Sequence, residues 1–123
     1  MPRGLKPLTL AFALCCTVPG ALAVDWKALK PQGYVSDFSG VIDAQSRSAL
    51  EQYAAGIQKA AGAEMAFVTI PTLQGEPIED VANDLFRAWG VGQKNNNTGV
   101  MLLLVTQDRR SRLEIGPDAG PIG

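Results

Sequence analysis

Gly99-Val100-Met101-Leu102-Leu103-Leu104-Val105 is a run of seven residues without a single polar side chain. It is too short to cross a bilayer, which takes about 20 apolar residues. It is also too uniform for a half-exposed strand, whose side chains alternate between core and water. The remaining reading is a strand in the middle of a sheet, covered on both faces, of the kind found in parallel α/β proteins. That reading makes the chain α/β, and the flanking segments can be assigned around it.

Upstream, Met65–Ile70 is a second apolar run, β-branched at Val68, Thr69 and Ile70 and stopped by Pro71. Between the two runs, Ile78, Val81, Leu85 and Trp89 recur at helical spacing. Pro77 stands at the first helical position, Glu79 and Asp80 complement the helix dipole in the first turn, and Gly90 ends the helix. Strand, helix and strand from Met65 to Val105 therefore predict a parallel crossover. Farther upstream, Asp43 is placed to cap a helix whose stripe is Leu50, Tyr53, Ala54, Ile57 and Ala61, with Arg47, Glu51, Gln58 and Lys59 outside it and Gly62 as the stop. Before it, Gly33–Asp37 predicts a short extended segment and Phe38-Ser39-Gly40 a turn. Downstream, Thr106–Arg110 has turn character. Ser111–Ile115 alternates, with Leu113 and Ile115 on one face and Arg112 and Glu114 on the other, as an antiparallel return strand does.

The expected fold is thus an α/β three-layer sandwich on a small mixed sheet, combining the parallel crossover with an antiparallel return strand. Two helices are present. Gly116–Gly123 is rich in glycine and proline and supplies no third, so one sheet face is expected to be thinly covered.

The N-terminus has the pattern of a secretory signal. Arg3 and Lys6 precede the apolar run Leu8–Val18, and Ala21-Leu22-Ala23 offers small residues to a signal peptidase. An uncleaved anchor is the alternative, but Pro19-Gly20 interrupts the run. A lipoprotein site at Cys15-Cys16 fits less well, because Leu14 precedes it where a small residue is needed. Cleavage after Ala23 predicts an exported chain, periplasmic or extracellular, with residues 24–32 as a flexible tail, one domain over 33–116 and a disordered end over 117–123. No transmembrane helix remains after cleavage.

Cleavage would also remove both cysteines. With no histidine in all 123 residues, the mature chain lacks thiolates and imidazole, and a Ser–His or Cys–His set is excluded. Any site must use carboxylates, amides, hydroxyls and arginines. Taking Arg3 and Lys6 from 11 basic residues leaves 9 against 12 acidic ones, a net charge of −3, which favours neither nucleic acid nor an anionic membrane.

Asp108 follows the long strand at its carboxyl end, where open α/β sheets place ligands. It could hold a metal, or it could be a turn aspartate bonded to nearby amides. Asp37, before Phe38-Ser39-Gly40, offers the same two readings. Asp43 is explained by capping, and Glu76, Glu79 and Asp80 by the dipole of the helix after Pro77. Arg109, Arg110 and Arg112 form the one dense basic group; Arg109, beside Asp108, is the candidate for binding a phosphate or other anionic substrate. Phe86 and Trp89 sit at core spacing. Gly90-Val91-Gly92 follows a helix, not a strand, and is no phosphate loop.

Several blocks in fixed order carry a resemblance: Tyr34-Val35-Ser36-Asp37-Phe38-Ser39-Gly40-Val41-Ile42, then Ala82, Leu85-Phe86 and Trp89-Gly90-Val91-Gly92. Thr98-Gly99-Val100-Met101-Leu102-Leu103-Leu104-Val105, Asp108-Arg109-Arg110 and Arg112-Leu113-Glu114-Ile115-Gly116 complete the set. Over Gly33–Gly116 the chain resembles the TPM domain family, found in exported bacterial proteins and in thylakoid-lumen proteins linked to photosystem II repair. The resemblance implies an α/β sandwich, a divalent cation, usually calcium, and a weak acid phosphatase activity in a plant member. The family's acidic positions match Asp37 and Asp108, which makes these two the expected metal ligands. Ca²⁺ suits two carboxylates completed by carbonyls and water, whereas Mg²⁺ demands a tighter octahedron. Two departures stand out: Thr98 replaces a frequent Asn, and the helices that follow the last strand in the family are absent, as in a truncated chain.

The expected function is a calcium-binding, exported TPM-like domain that serves as a binding, assembly or repair factor for an envelope protein. A metal-dependent acid phosphatase is the first alternative, and a non-functional truncated fragment the second.

Overall fold

A computed structural model describes residues 26–95 and 97–117. The proposed signal, residues 1–23, lies outside the described residues, as do residues 118–123 of the expected disordered end. Strand β1 (Val35–Asp37) leads through helix α1 (Ala44–Ala61) to β2 (Glu64–Ile70), and helix α2 (Ile78–Trp89) leads to β3 (Gly99–Val105) and β4 (Arg110–Ile115). The four strands form one sheet in the order β1-β2-β3-β4. The first three are parallel and β4 returns antiparallel. Among the described residues, no helix is long and apolar enough to cross a membrane.

The helices begin and end where side-chain and backbone chemistry dictate. Asp43 caps α1, its carboxylate accepting the Ser46 N–H at 2.7 Å, and Gly62 closes the helix in the left-handed conformation. Pro77 precedes α2 and its carbonyl accepts the Val81 amide; Gly90, also left-handed, ends it. The apolar stripe of α2 behaves as its spacing predicts. Ile78, Val81 and Leu85 are buried against Ala66, Val68 and Ile70 of β2 and Met101, Leu103 and Val105 of β3.

Helix α1 lies on the other face, where Val35, Asp37, Phe67 and Thr69 share a register, so the chain has three layers. Its packed face differs from the expected stripe. Ala54 is buried, but Tyr53 is 57% exposed, while Arg47 and Glu51, expected outside, turn inward. The reason is that β1 is an edge strand with outward backbone groups to satisfy. Glu51 accepts the N–H groups of Val35 at 2.8 Å and Tyr34 at 3.2 Å. Arg47 donates to the Val35 carbonyl at 3.4 Å, and the Gln32 side chain accepts the Asp37 N–H at 3.0 Å.

Two further expectations are corrected. Residues 26–32 are not a loose tail: Trp26 is buried, its indole donates to Glu76 at 2.9 Å, and Trp89 donates to the Leu29 carbonyl at 2.8 Å. An amphipathic indole can hold a segment that has no periodicity of its own. The β3 run is not covered on both faces. Met101, Leu103 and Val105 are buried under α2, but α1 sits over β1 and β2 and leaves Leu104 40%, Leu113 44% and Ile115 40% exposed.

The opposite end of β3 is closed by bare backbone. A Cβ on Gly99 would lie 2.6 Å from the Val91 carbonyl oxygen, one on Gly92 2.5 Å from the Gly99 nitrogen, and one on Gly116 2.5 Å from the Asn97 carbonyl. The loop after α2 therefore crosses the ends of β3 and β4 at a distance that excludes side chains. Gly99→Ala is expected to destabilise the fold by about 2–3 kcal/mol through steric overlap. Gly56→Ala, in open space on α1, should stabilise by up to about 1 kcal/mol. Urea denaturation of the two variants measures both effects.

Candidate functional site

The carboxyl ends of the three parallel strands lie along one edge of the sheet, and both carboxylates singled out in the sequence are there. Asp37 ends β1. Asp108 belongs to the 106–109 turn between β3 and β4, where Arg109 takes φ 55°. Register explains their company: Asp37 pairs with Thr69 on β2, and β2 extends its bonding past Ile70, whose carbonyl accepts the Thr106 N–H at 3.0 Å.

A line of hydroxyls runs between the two acids. The Thr69 hydroxyl donates to Asp37 Oδ1 at 2.6 Å and accepts the Ser39 N–H at 3.0 Å. The Ser39 hydroxyl lies 3.0 Å from that of Thr106, two residues before Asp108. The Thr72 hydroxyl donates to Asp108 Oδ1 at 3.1 Å, and the Leu73 N–H to Oδ2 at 3.1 Å. Sequence reasoning found the acids and missed Thr69, Ser39, Thr106 and Thr72. A threonine in a strand signals only β-propensity until strand register places it beside a carboxylate.

The two acids are in different situations. The Asp37 side chain is 2% exposed. Its Oδ1 also accepts the Val41 N–H at 3.2 Å; its Oδ2 accepts the Ile42 N–H at 2.9 Å and faces Arg47 Nη2 at 3.8 Å. Three hydrogen bonds and the Arg47 ion pair engage the carboxylate, so Asp37 holds the β1–α1 loop. Burial by itself would raise its pKa. The bonds from Thr69, Ile42 and Val41, with the Arg47 charge, outweigh burial and hold it below the ordinary value. Asp108 is exposed and accepts one bond on each oxygen, which leaves acceptor capacity facing solvent. Arg109 is exposed beside it.

A second concavity, a cleft of about 240 Å³, lies at the amino end of β3, against Asn83, Phe86, Arg87, Gln93, Glu114 and Ile115. It takes in none of the acids or arginines picked from the sequence as ligands. Among the described residues no three acidic side chains come together as a ready metal cage.

Asp37→Asn should cost about 3 kcal/mol, because the new amide sets a donor against donors in a buried place. The acid limb should change as well. A depressed native pKa contributes stability that is complete above the unfolded value of about 3.9 and is lost as pH falls below it through the native value. Chemical denaturation from pH 7 to pH 3 is therefore expected to show a shallower loss in the variant than in the wild type.

The profile of the TPM domain family matches residues 35–122, past the Gly116 at which the sequence placed the end of the domain. A solved structure, the solution structure of the N-terminal domain of a protein from P. gingivalis, is 35% identical with a TM-score of 0.62. The match covers 68% of this chain and 53% of that one, so the chain spans about half the length of the solved relative. None of the curated proteins matches. From β1 through the β4 return strand, the chain belongs to the TPM domain family.

Proposed function

We propose that this TPM domain is exported and serves in the cell envelope as a calcium-dependent binding domain that assists assembly or repair of a partner protein. The observation that carries the reading is the edge holding Asp37 and Asp108. It gathers two carboxylates and four hydroxyls at the carboxyl ends of parallel strands, with no imidazole or thiolate. Oxygen donors of this kind suit a hard cation.

The fit is uneven. Asp108 offers open acceptor positions, with the Thr72 hydroxyl beside it, and is the first ligand in this reading. Asp37 joins only by releasing one of its present donors, and otherwise acts by holding the loop. A cation there would complete its shell of six to eight oxygens with carbonyls and water, which places the affinity in the weak range of extracellular modules, about 10⁻⁴–10⁻³ M. Export rests on the signal pattern of residues 1–23.

The rival reading, a metal-dependent acid phosphatase, draws on Arg109 beside Asp108 as an anion-holding group. It has less support, because the buried carboxylate is already held by three hydrogen bonds and an ion pair.

Calorimetric titration of the folded chain with CaCl₂ should give a weak isotherm that Asp108→Asn removes and Arg109→Ala leaves in place; silence in the wild type ends the calcium reading. A chromogenic phosphate ester at acidic pH should show no turnover. Hydrolysis abolished by chelator and by Asp108→Asn would instead establish the enzyme.

A further inference from the structure

The two edges of the sheet are treated differently. The outer groups of β1 are met by Glu51, Arg47 and Gln32, so that edge is sealed by side chains of its own chain. On the other side the last strand is β4, with β3 as its one sheet neighbour among the described residues. Its outward groups can be identified. The Gly116 N–H donates to the Gly99 carbonyl at 2.8 Å, and residues on an antiparallel strand alternate, so Glu114, Arg112 and Arg110 also turn their backbone toward β3. Ser111, Leu113 and Ile115 turn their N–H and C=O groups away from the sheet.

We propose that this edge pairs with a second copy of the chain, β4 against β4, around a two-fold axis at Leu113. Two identical strands related by a two-fold axis pair antiparallel, and hydrogen bonding requires outward residues to face outward residues. Registers that oppose an outward residue with an inward one are thereby excluded, and such a slip would also reverse the faces. Three centres remain on the strand's middle. A centre at Arg112 pairs Arg110 with Glu114 twice but sets Arg112 opposite itself, and one at Glu114 sets Glu114 opposite itself; like charges directly opposed are destabilising, and only the Leu113 centre has none. A centre at Leu113 sets Arg112 of each copy opposite Glu114 of the other, twice. It also joins Leu113 to Leu113 and extends the apolar stripe of Leu104, Leu113 and Ile115 across both copies.

Within one chain Arg112 Nε already lies 3.0 Å from Glu114 Oε1, so these side chains share the sheet face on which the second copy would meet them. The product is a continuous eight-stranded sheet whose remaining edges are the two sealed β1 strands. Such an assembly closes at two copies.

Charge exchange tests the register. By sedimentation of the purified full chain, the mass should rise with concentration to twice the monomer and no further. Arg112→Glu and Glu114→Arg should each stay monomeric, because each sets like charges opposite one another. An equimolar mixture of the two should recover the dimer, and so should the double variant carrying both changes. Tyr53→Lys, which changes an exposed position on α1 and not the edge, should dimerise like the wild type. Several results would overturn the proposal: a wild type monomeric at every concentration, growth beyond two copies, a single charge variant that dimerises unaided, or a mixture of folded variants that stays monomeric. Slow amide exchange at Leu113 in a monomer would mean that the chain covers its own edge, and would overturn it equally.

Discussion

The bond from the buried Thr69 hydroxyl to the Asp37 carboxylate, 2.6 Å long, is the contact on which the candidate edge depends. A carboxylate left in so dry a place without donors would cost several kcal/mol and take up a proton. Here two loop amides, one hydroxyl and one guanidinium surround it. That arrangement sets the register of β1 on β2 and folds the β1–α1 loop back over the strand ends. It also positions Ser39 beside Thr106, and so links the loop to the turn that carries Asp108.

The same accounting of polar groups explains the placement of α1. A helix packed by apolar contacts alone would show its leucine and tyrosine stripe to the sheet. This one turns Arg47 and Glu51 inward beside Ala54 and the half-buried Leu50 and Ile57 and leaves Tyr53 exposed, because it covers the border of a short edge strand whose outward amides need partners. Coverage is consequently uneven. Under α2 the core is dry and continuous, whereas on the α1 face the β3–β4 half of the sheet is left with three exposed apolar side chains. The sealing of the β1 edge is an outcome of one requirement, that strand backbone be paired, capped or left facing water.

Much of this was legible along the chain. The periods of β2, α2, β3 and β4, the Asp43 cap and the glycine stops at Gly62 and Gly90 are local properties, in which spacing and conformational preference point to one answer. Asp37 and Asp108 could be found because they are turn aspartates at strand ends that match the acidic positions of the family the chain resembles. What each does was not legible, since an aspartate held by three hydrogen bonds and an ion pair and one open to solvent look alike in a sequence. The hydroxyl line between them had no signal either: Thr69 and Thr72 lie three residues apart in the chain but serve different carboxylates. Trp26 was misjudged for a related reason, because a single indole anchoring an aperiodic segment has no pattern to detect.

By itself, then, the amino-acid sequence determined the α/β class, the element order and the chemical inventory of the site, because residue type and short-range spacing control helix, strand and turn and no fold can supply an imidazole the chain lacks. Tertiary structure alone decided which oxygens are occupied, which face of the sheet is covered and how the β1 edge is sealed. Those properties depend on groups brought together from 30 or more residues apart, as Asp37 meets Thr69 and Thr72 meets Asp108, and on backbone surfaces that pass too close at Gly92, Gly99 and Gly116 for any side chain.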